Sequence, residues 1–257
     1  MNTGQKSEGF DWIALIKPVA DDEWIVAHRG SEWLGLAPDL EEDLAYSSIN
    51  QDEMGHAHFY YELLAGLGDP EPERTVYGRP PEQWRNARIL EAPNGDWAQT
   101  VALRYFYEVF DDLRLEGLSH SLWQPLQDGI RTIRREESYH LRHFATWFDM
   151  LAVGTPESRR RLVNGIDALW MNLGDLFSWG QPDTWLAAMG LDNLSEPVIK
   201  AAWERRVGDK LEAAGILWPG PVPAPLADGR RGQHTQDLQA LLNVMTEVQR
   251  TDLTAQW

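Results

Sequence analysis

The chain has 257 residues, no cysteine and a formal net charge of −17. The lack of thiols rules out disulfides, cysteine-held zinc or iron–sulfur clusters and a cysteine nucleophile, so any metal must sit on carboxylate and imidazole. The acidity argues against nucleic acid and anionic membranes as partners, and with neither a spanning apolar run nor a signal-peptide core the expected location is the cytoplasm.

Helical periodicity dominates the chain, and glycine and proline punctuate it. A first helix is expected over about 8–36, bent near Lys17-Pro18 and Gly30. Pro38 marks a turn. Asp39-Leu40-Glu41-Glu42-Asp43 opens a second helix with acids at its positive end, and Gly68-Asp69-Pro70 stops it. Residues 69–97 form a long connection ending in a cap at Asp96. Helices follow at about 97–115 and 122–152, and Thr155-Pro156-Glu157 begins a fifth. Short helices near 183–190 and 195–213, a proline-rich loop at 219–225 and a last helix over about 235–250 complete the chain. The run Trp24-Ile25-Val26-Ala27 suits a strand but lies inside a helical pattern. The reading is an all-α protein of one domain. Its four-helix core spans about 8–154, with a helical extension over about 155–257.

Two stretches carry chemistry. Asp52-Glu53-Met54-Gly55-His56 and Glu136-Glu137-Ser138-Tyr139-His140 each contain Glu-x-x-His, which puts both donors on one helical face. Either pair alone is common on a solvated helix. Spacing strengthens them, because a dinuclear carboxylate bundle takes one Glu from each of two helices and Glu-x-x-His from each of the other two. Glu23 precedes Glu53 by 30 residues, centred on Pro38, and Glu108 precedes Glu137 by 29, centred on Leu122-Trp123. Residues equidistant from the turn of an antiparallel hairpin meet at one height. Glu23, Glu53, His56, Glu108, Glu137 and His140 are therefore the candidate metal ligands. Asp52 and Glu136, four residues before each histidine, are candidates to accept the other ring N–H.

Glu32 and Glu42 lie too near the turn to compete, whereas Asp111 sits one turn from Glu108 as an outer carboxylate. His58 and His143 are expected to line the core or support the site, and His28, His120 and His234 to be structural. Arg159-Arg160-Arg161 reads as a solvated face. Arg230-Arg231, flanked by glycines, is a candidate anion-binding loop.

These residues resemble the phenylacetyl-CoA epoxidase family, the ring-epoxidising multicomponent monooxygenases of phenylacetate catabolism. Ala37-Pro38-Asp39-Leu40 through His56, and Glu136 through His140, look like the family's catalytic A-type component. In that resemblance Glu23 falls on its first metal glutamate, and Glu108 on a position where that component has aspartate. Ser31-Glu32-Trp33, Leu40-Glu41-Glu42-Asp43, Tyr139-His140-Leu141-Arg142-His143, Leu169-Trp170, Gly229-Arg230-Arg231-Gly232-Gln233-His234-Thr235 and Gln256-Trp257 look like the C-type component, which the family uses as a structural partner with depleted ligands.

The resemblance implies a ferritin-like fold and two iron ions, or manganese on the same donors. It also implies a ferritin-like partner subunit of the A type or a second copy of this chain, and an aromatic acyl-CoA substrate. A separate reductase is expected, since the chain carries neither cysteine nor a dinucleotide fingerprint. A non-catalytic stabilising subunit, an iron store and an oxygenase for another acyl-CoA or an amine stay open as alternatives.

Overall fold

Short acidic side chains start three of the four helices that build the site. The computed structural model describes residues 10–251, so Met1–Lys6 and Gln256-Trp257 lie outside it. Asp11 accepts from the Ala14 amide at 3.0 Å and opens α1 (Trp12–Ser31). Asp39 accepts from Glu42 at 2.8 Å and opens α2 (Leu40–Leu67), which ends on Gly68 at φ 112°. A short α3 (Pro72–Tyr77) lies in the following connection. Asp96 accepts from Gln99 at 3.0 Å and opens α4 (Trp97–Leu118), and Pro125 sits in the first turn of α5 (Gln124–Val153). Each cap satisfies an amide that the first helical turn leaves free.

The chain then forms α6 (Pro156–Trp170), α7 (Asp183–Ala188), α8 (Glu196–Ala213), α9 (Gln236–Met245) and α10 (Glu247–Thr251). No strand occurs among the described residues, and Trp24–Ala27 is helical.

Several expected boundaries differ. α1 stops at Ser31 rather than 36, because Gly35 turns at φ 75° and its amide donates to Asp43 Oδ1 at 2.7 Å, folding the chain back onto α2. α1 also runs on through Pro18 as a helix. The connection at 69–97 is partly helical, with α3 and two 3₁₀ turns. The last helix is divided at Thr246, whose hydroxyl bonds back to Leu242 O at 2.8 Å.

Helices α1 and α2 pack as one hairpin and α4 and α5 as another. The long connection between the hairpins gives the ferritin-like order of a four-helix bundle. The C-terminal helices cover the outer side of α4. Trp203 of α8 packs edge-to-face against Phe106 at 5.4 Å and donates its indole N–H to Phe106 O at 2.8 Å. Phe177 fills the space between Trp203 and Phe110. With that side buried in aromatics, the opposite stripe of α4 (Arg104, Glu108, Asp111) is turned into the bundle, so α4 is buried nearly all round. No described helix is long and apolar enough to cross a membrane.

Candidate metal centre

Equal rise along paired helices brings all six ligand candidates to one level. Glu23 comes from α1, Glu53 and His56 from α2, Glu108 from α4, and Glu137 and His140 from α5, and every one is buried. Donor atoms of Glu23, Glu53, His56 and Glu137 lie within 4.8 Å of one another, and so do those of Glu53, Glu108, Glu137 and His140. Glu53 and Glu137 belong to both groups.

His56 Nδ1 faces Glu137 Oε1 at 3.0 Å, Glu53 Oε2 at 3.7 Å and Glu23 Oε2 at 3.9 Å. His140 Nδ1 faces Glu137 Oε1 at 3.3 Å and Glu53 Oε1 at 3.6 Å. The Nε2 atoms point outward to partly exposed carboxylates. His56 Nε2 meets Glu136 at 2.8 Å and His140 Nε2 meets Asp52 at 3.4 Å. Each outer carboxylate thus serves the histidine of the other hairpin, because each imidazole reaches across the gap between α2 and α5.

The carboxylates share a pattern. Glu23 Oε1 accepts from Arg114 at 2.7 Å and from the Tyr107 hydroxyl at 3.0 Å, leaving Oε2 unpaired. Glu108 Oε1 accepts from Arg104 Nε at 3.0 Å, and Glu53 Oε1 is in close contact with Arg104 Nη2, so both Oε2 atoms stay unpaired. Glu137 Oε1 and the Nδ1 atoms of both histidines complete the set of inward atoms without a well-formed hydrogen bond. Buried polar atoms are rarely left so, and six facing one another could serve as donors to a cation. The residues fit a metal.

Without a cation the cluster redistributes protons. Burial, Asp111 and Glu53 raise Glu23 well above the usual carboxylate range. Burial also raises Glu108, against the pull of Arg104. Asp111 is pushed up to about 7 by burial, against Arg114. Burial acts upward on Glu53 too, but Arg104 and His56 hold it well below the usual range. Burial works against the imidazolium forms, yet Glu137 and Glu53 raise His56 to about 12 and His140 to about 10.

Other candidates lie elsewhere. Glu32 pairs with Arg29 at the turn, and Glu42 accepts from His143 at 2.9 Å and from the Trp147 indole at 2.6 Å. His58 does not support the site. It lies on the surface beside Glu62 at 3.3 Å, five residues past Glu53 and so on another face of α2. Arg230 is no anion-binding loop residue. It is buried, and its guanidinium grips Asp22 at 2.6 and 2.7 Å and donates to Pro18 O at 3.2 Å. Asp22 in turn accepts from Arg114 at 2.7 Å. His234 bridges Glu91 at 2.6 Å and Trp84 O at 2.9 Å.

The sequence reasoning missed Arg104 and Arg114, whose guanidiniums pair with Glu53, Glu108 and Glu23. The spacing Arg104, Glu108, Asp111, Arg114 puts them on one face of α4, but it does not say which way that face points.

Comparison with known proteins agrees with this architecture. Residues 2–257 match the family described as phenylacetic acid catabolic protein. The chain belongs to that family. Among curated members, it is 30% identical over 240 residues to the C component of the 1,2-phenylacetyl-CoA epoxidase of Escherichia coli strain K12. That alignment covers 93% of this chain and 96% of the relative. The phenylacetic acid catabolic family match runs across both the paired hairpins and the helical extension.

Proposed function

We propose that this protein is a subunit of a phenylacetyl-CoA epoxidase-like monooxygenase, acts in phenylacetate catabolism, and holds two iron ions on Glu23, Glu53, His56, Glu108, Glu137 and His140. The observation that carries the reading is the set of six inward atoms, one per ligand residue, that lack hydrogen bonds. When bound, a pair of iron ions supplies reduction of O₂ and transfer of one oxygen atom to the arene of an acyl-CoA.

The chain's own residues prepare that site. Arg114 and Tyr107 fix Glu23, and Arg104 fixes Glu53 and Glu108, each by one oxygen, so the second oxygen is presented inward. Glu136 and Asp52 accept from the outer ring nitrogens and hold each imidazole with Nδ1 directed at the centre. The aromatic packing around Phe106, Phe110 and Phe144 keeps bulk water out of the interior. The protons on the imidazoles and on Glu23 and Glu108 leave as cations enter.

The partners in this reading are an A-type ferritin-like subunit, or a second copy of this chain, together with a separate reductase. The chain has no cysteine to hold an iron–sulfur relay of its own.

The two buried arginines favour a second reading. Cations already partner Glu23, Glu53 and Glu108, as suits a subunit that stabilises a catalytic partner without turning over substrate itself. One experiment separates the two. The chain is reconstituted with reductase and A-type subunit, and phenylacetyl-CoA-dependent NADPH use is measured with wild type and with Glu53→Ala. Loss of rate with the assembly intact supports the metal-active reading. An unchanged rate assigns the stabilising role.

A further inference from the structure

We infer that the two halves of the metal centre are unequal: Glu23, Glu53, His56 and Glu137 take the first divalent cation, while Arg104 is the resident cation of the Glu108–His140 half and must move before a second ion binds there. The inference rests on the metal reading above and deepens it.

The asymmetry lies in what each buried arginine holds. Arg114 spreads its charge over Asp111 at 2.7 Å, Asp22 at 2.7 Å and Glu23 at 2.7 Å, and also donates to Tyr107 Oη at 3.0 Å. Two of those three carboxylates are not ligand candidates, so Arg114 draws only one of its ion pairs from the ligand set. Arg104 has no such outlet. Among the described residues its ion pairs are with Glu53 and Glu108 alone, and both are ligand candidates. The remaining faces of its guanidinium meet Phe144 at 4.8 Å and Tyr46 at 5.7 Å. Its Nη1 has no hydrogen-bond partner. Beside Arg104 lies a cavity of about 20 Å³ whose lining includes Tyr46, Asn94, Thr100 and a second cation, Arg29, but no carboxylate. Such a space has room for about one water and offers no counter-charge.

The positive charge of Arg104 therefore falls on the centre itself, and on one side of it. Glu108 belongs only to the second group, while Glu53 and Glu137 are shared by both, and of these two Arg104 pairs with Glu53. A divalent ion placed among Glu53, Glu108, Glu137 and His140 would compete with Arg104 for Glu53 and Glu108 and be repelled by it at short range. An ion among Glu23, Glu53, His56 and Glu137 meets that competition only at Glu53. A guanidinium does not deprotonate in a protein, so Arg104 can yield only by moving.

The test is anaerobic titration of the full-length apo chain with Co(II), followed by visible absorption and by competition with a chelator. Wild type should bind one ion tightly and the second at least a hundredfold more weakly. Arg104→Gln should bring the two affinities within about tenfold, and Arg104→Lys, which keeps the charge, should preserve the gap. Should the Arg104 variants fail to fold, by loss of helical circular dichroism, the ligand variants decide. Glu23→Gln should abolish tight binding of the first ion, whereas Glu108→Gln should change it less than threefold. Two equal ions in wild type, or equal damage from Glu23→Gln and Glu108→Gln, overturns the inequality and leaves the metal reading standing. A wild-type chain that takes up no Co(II) overturns the metal reading itself, and the inequality with it.

Discussion

The two hairpins carry the same ligand pattern and are built differently around it. In the α1–α2 hairpin, Asp21, Asp22 and Glu23 are consecutive buried acids, and their counter-charges arrive from elsewhere. Arg79 reaches Asp21 at 2.7 Å, Arg230 reaches Asp22 at 2.6 Å, and Arg114 reaches Glu23 at 2.7 Å. In the α4–α5 hairpin, α4 brings its own cations, Arg104 and Arg114, on the stripe that carries Glu108 and Asp111. One hairpin exports negative charge into the fold, and the other neutralises itself. A matched pattern of Glu and His therefore does not make matched surroundings, because different charges stand behind the two sets.

Breaking the counter-charge shared by both hairpins should have the largest effect. Arg114→Met leaves Asp22, Glu23 and Asp111 without their common partner, and removing one member of a buried ionic network costs about 3–5 kcal/mol. Urea unfolding of the apo chain should show a loss of that size, and a loss below about 1 kcal/mol would mean the three acids are held some other way.

Next in size is the pH dependence of the metal-free chain. His140 gains protons at about 6.5 when unfolded and holds them to about 10 when folded. Between those values the folded state binds more protons, so stability is fully present below pH 6.5 and declines as pH rises towards 10. His56, raised to about 12, acts with the same sign. A metal ion displaces these protons, so thermal unfolding of the loaded chain should lose most of this slope. An apo melting temperature that stays flat or climbs from pH 6.5 to 10 would contradict the assignment of imidazolium at His140.

A sharper comparison uses the two outer carboxylates. Glu136→Gln replaces the acceptor 2.8 Å from His56, and Asp52→Asn replaces the one 3.4 Å from His140. Outer partners of this kind are worth about tenfold or more in metal affinity, so Glu136→Gln should weaken the first Co(II) by about tenfold. Asp52→Asn should leave it nearly unchanged, and reversed effects would exchange the roles of the two halves.

The smallest effect probes the seam between the hairpins. A Cβ on Gly129 of α5 would stand 1.9 Å from the Phe59 ring tip of α2. Phe59 is only partly buried and can swing aside, so Gly129→Ala should cost about 1 kcal/mol in urea unfolding and leave Co(II) stoichiometry unchanged.

The paired hairpins and the convergence of Glu23, Glu53, His56, Glu108, Glu137 and His140 could be read from spacing, because helical rise and a short turn convert sequence distance into height. The arginines could not. Arg104 follows the stripe of Glu108, but nothing local says that the stripe faces inward, since α4 has apolar residues on every side. Arg230 misled for the same reason. Its glycine-flanked loop has the composition of a surface anion site, and its partner Asp22 is 208 residues away. Long-range pairing leaves no trace in local periodicity. His58 was misplaced by proximity in sequence, although five residues along a helix leads to a different face.

The grip of Arg230 on Asp22 also sets an order of assembly during synthesis. All six donors have left the ribosome once His140 has emerged, but Arg230 follows 90 residues later. Until then Asp22 of the α1–α2 hairpin has only one of its two guanidinium partners, Arg114. The loop that carries Arg230 therefore acts as a latch, because the second buried counter-charge of Asp22, the neighbour of Glu23, is in place only after that loop has been made.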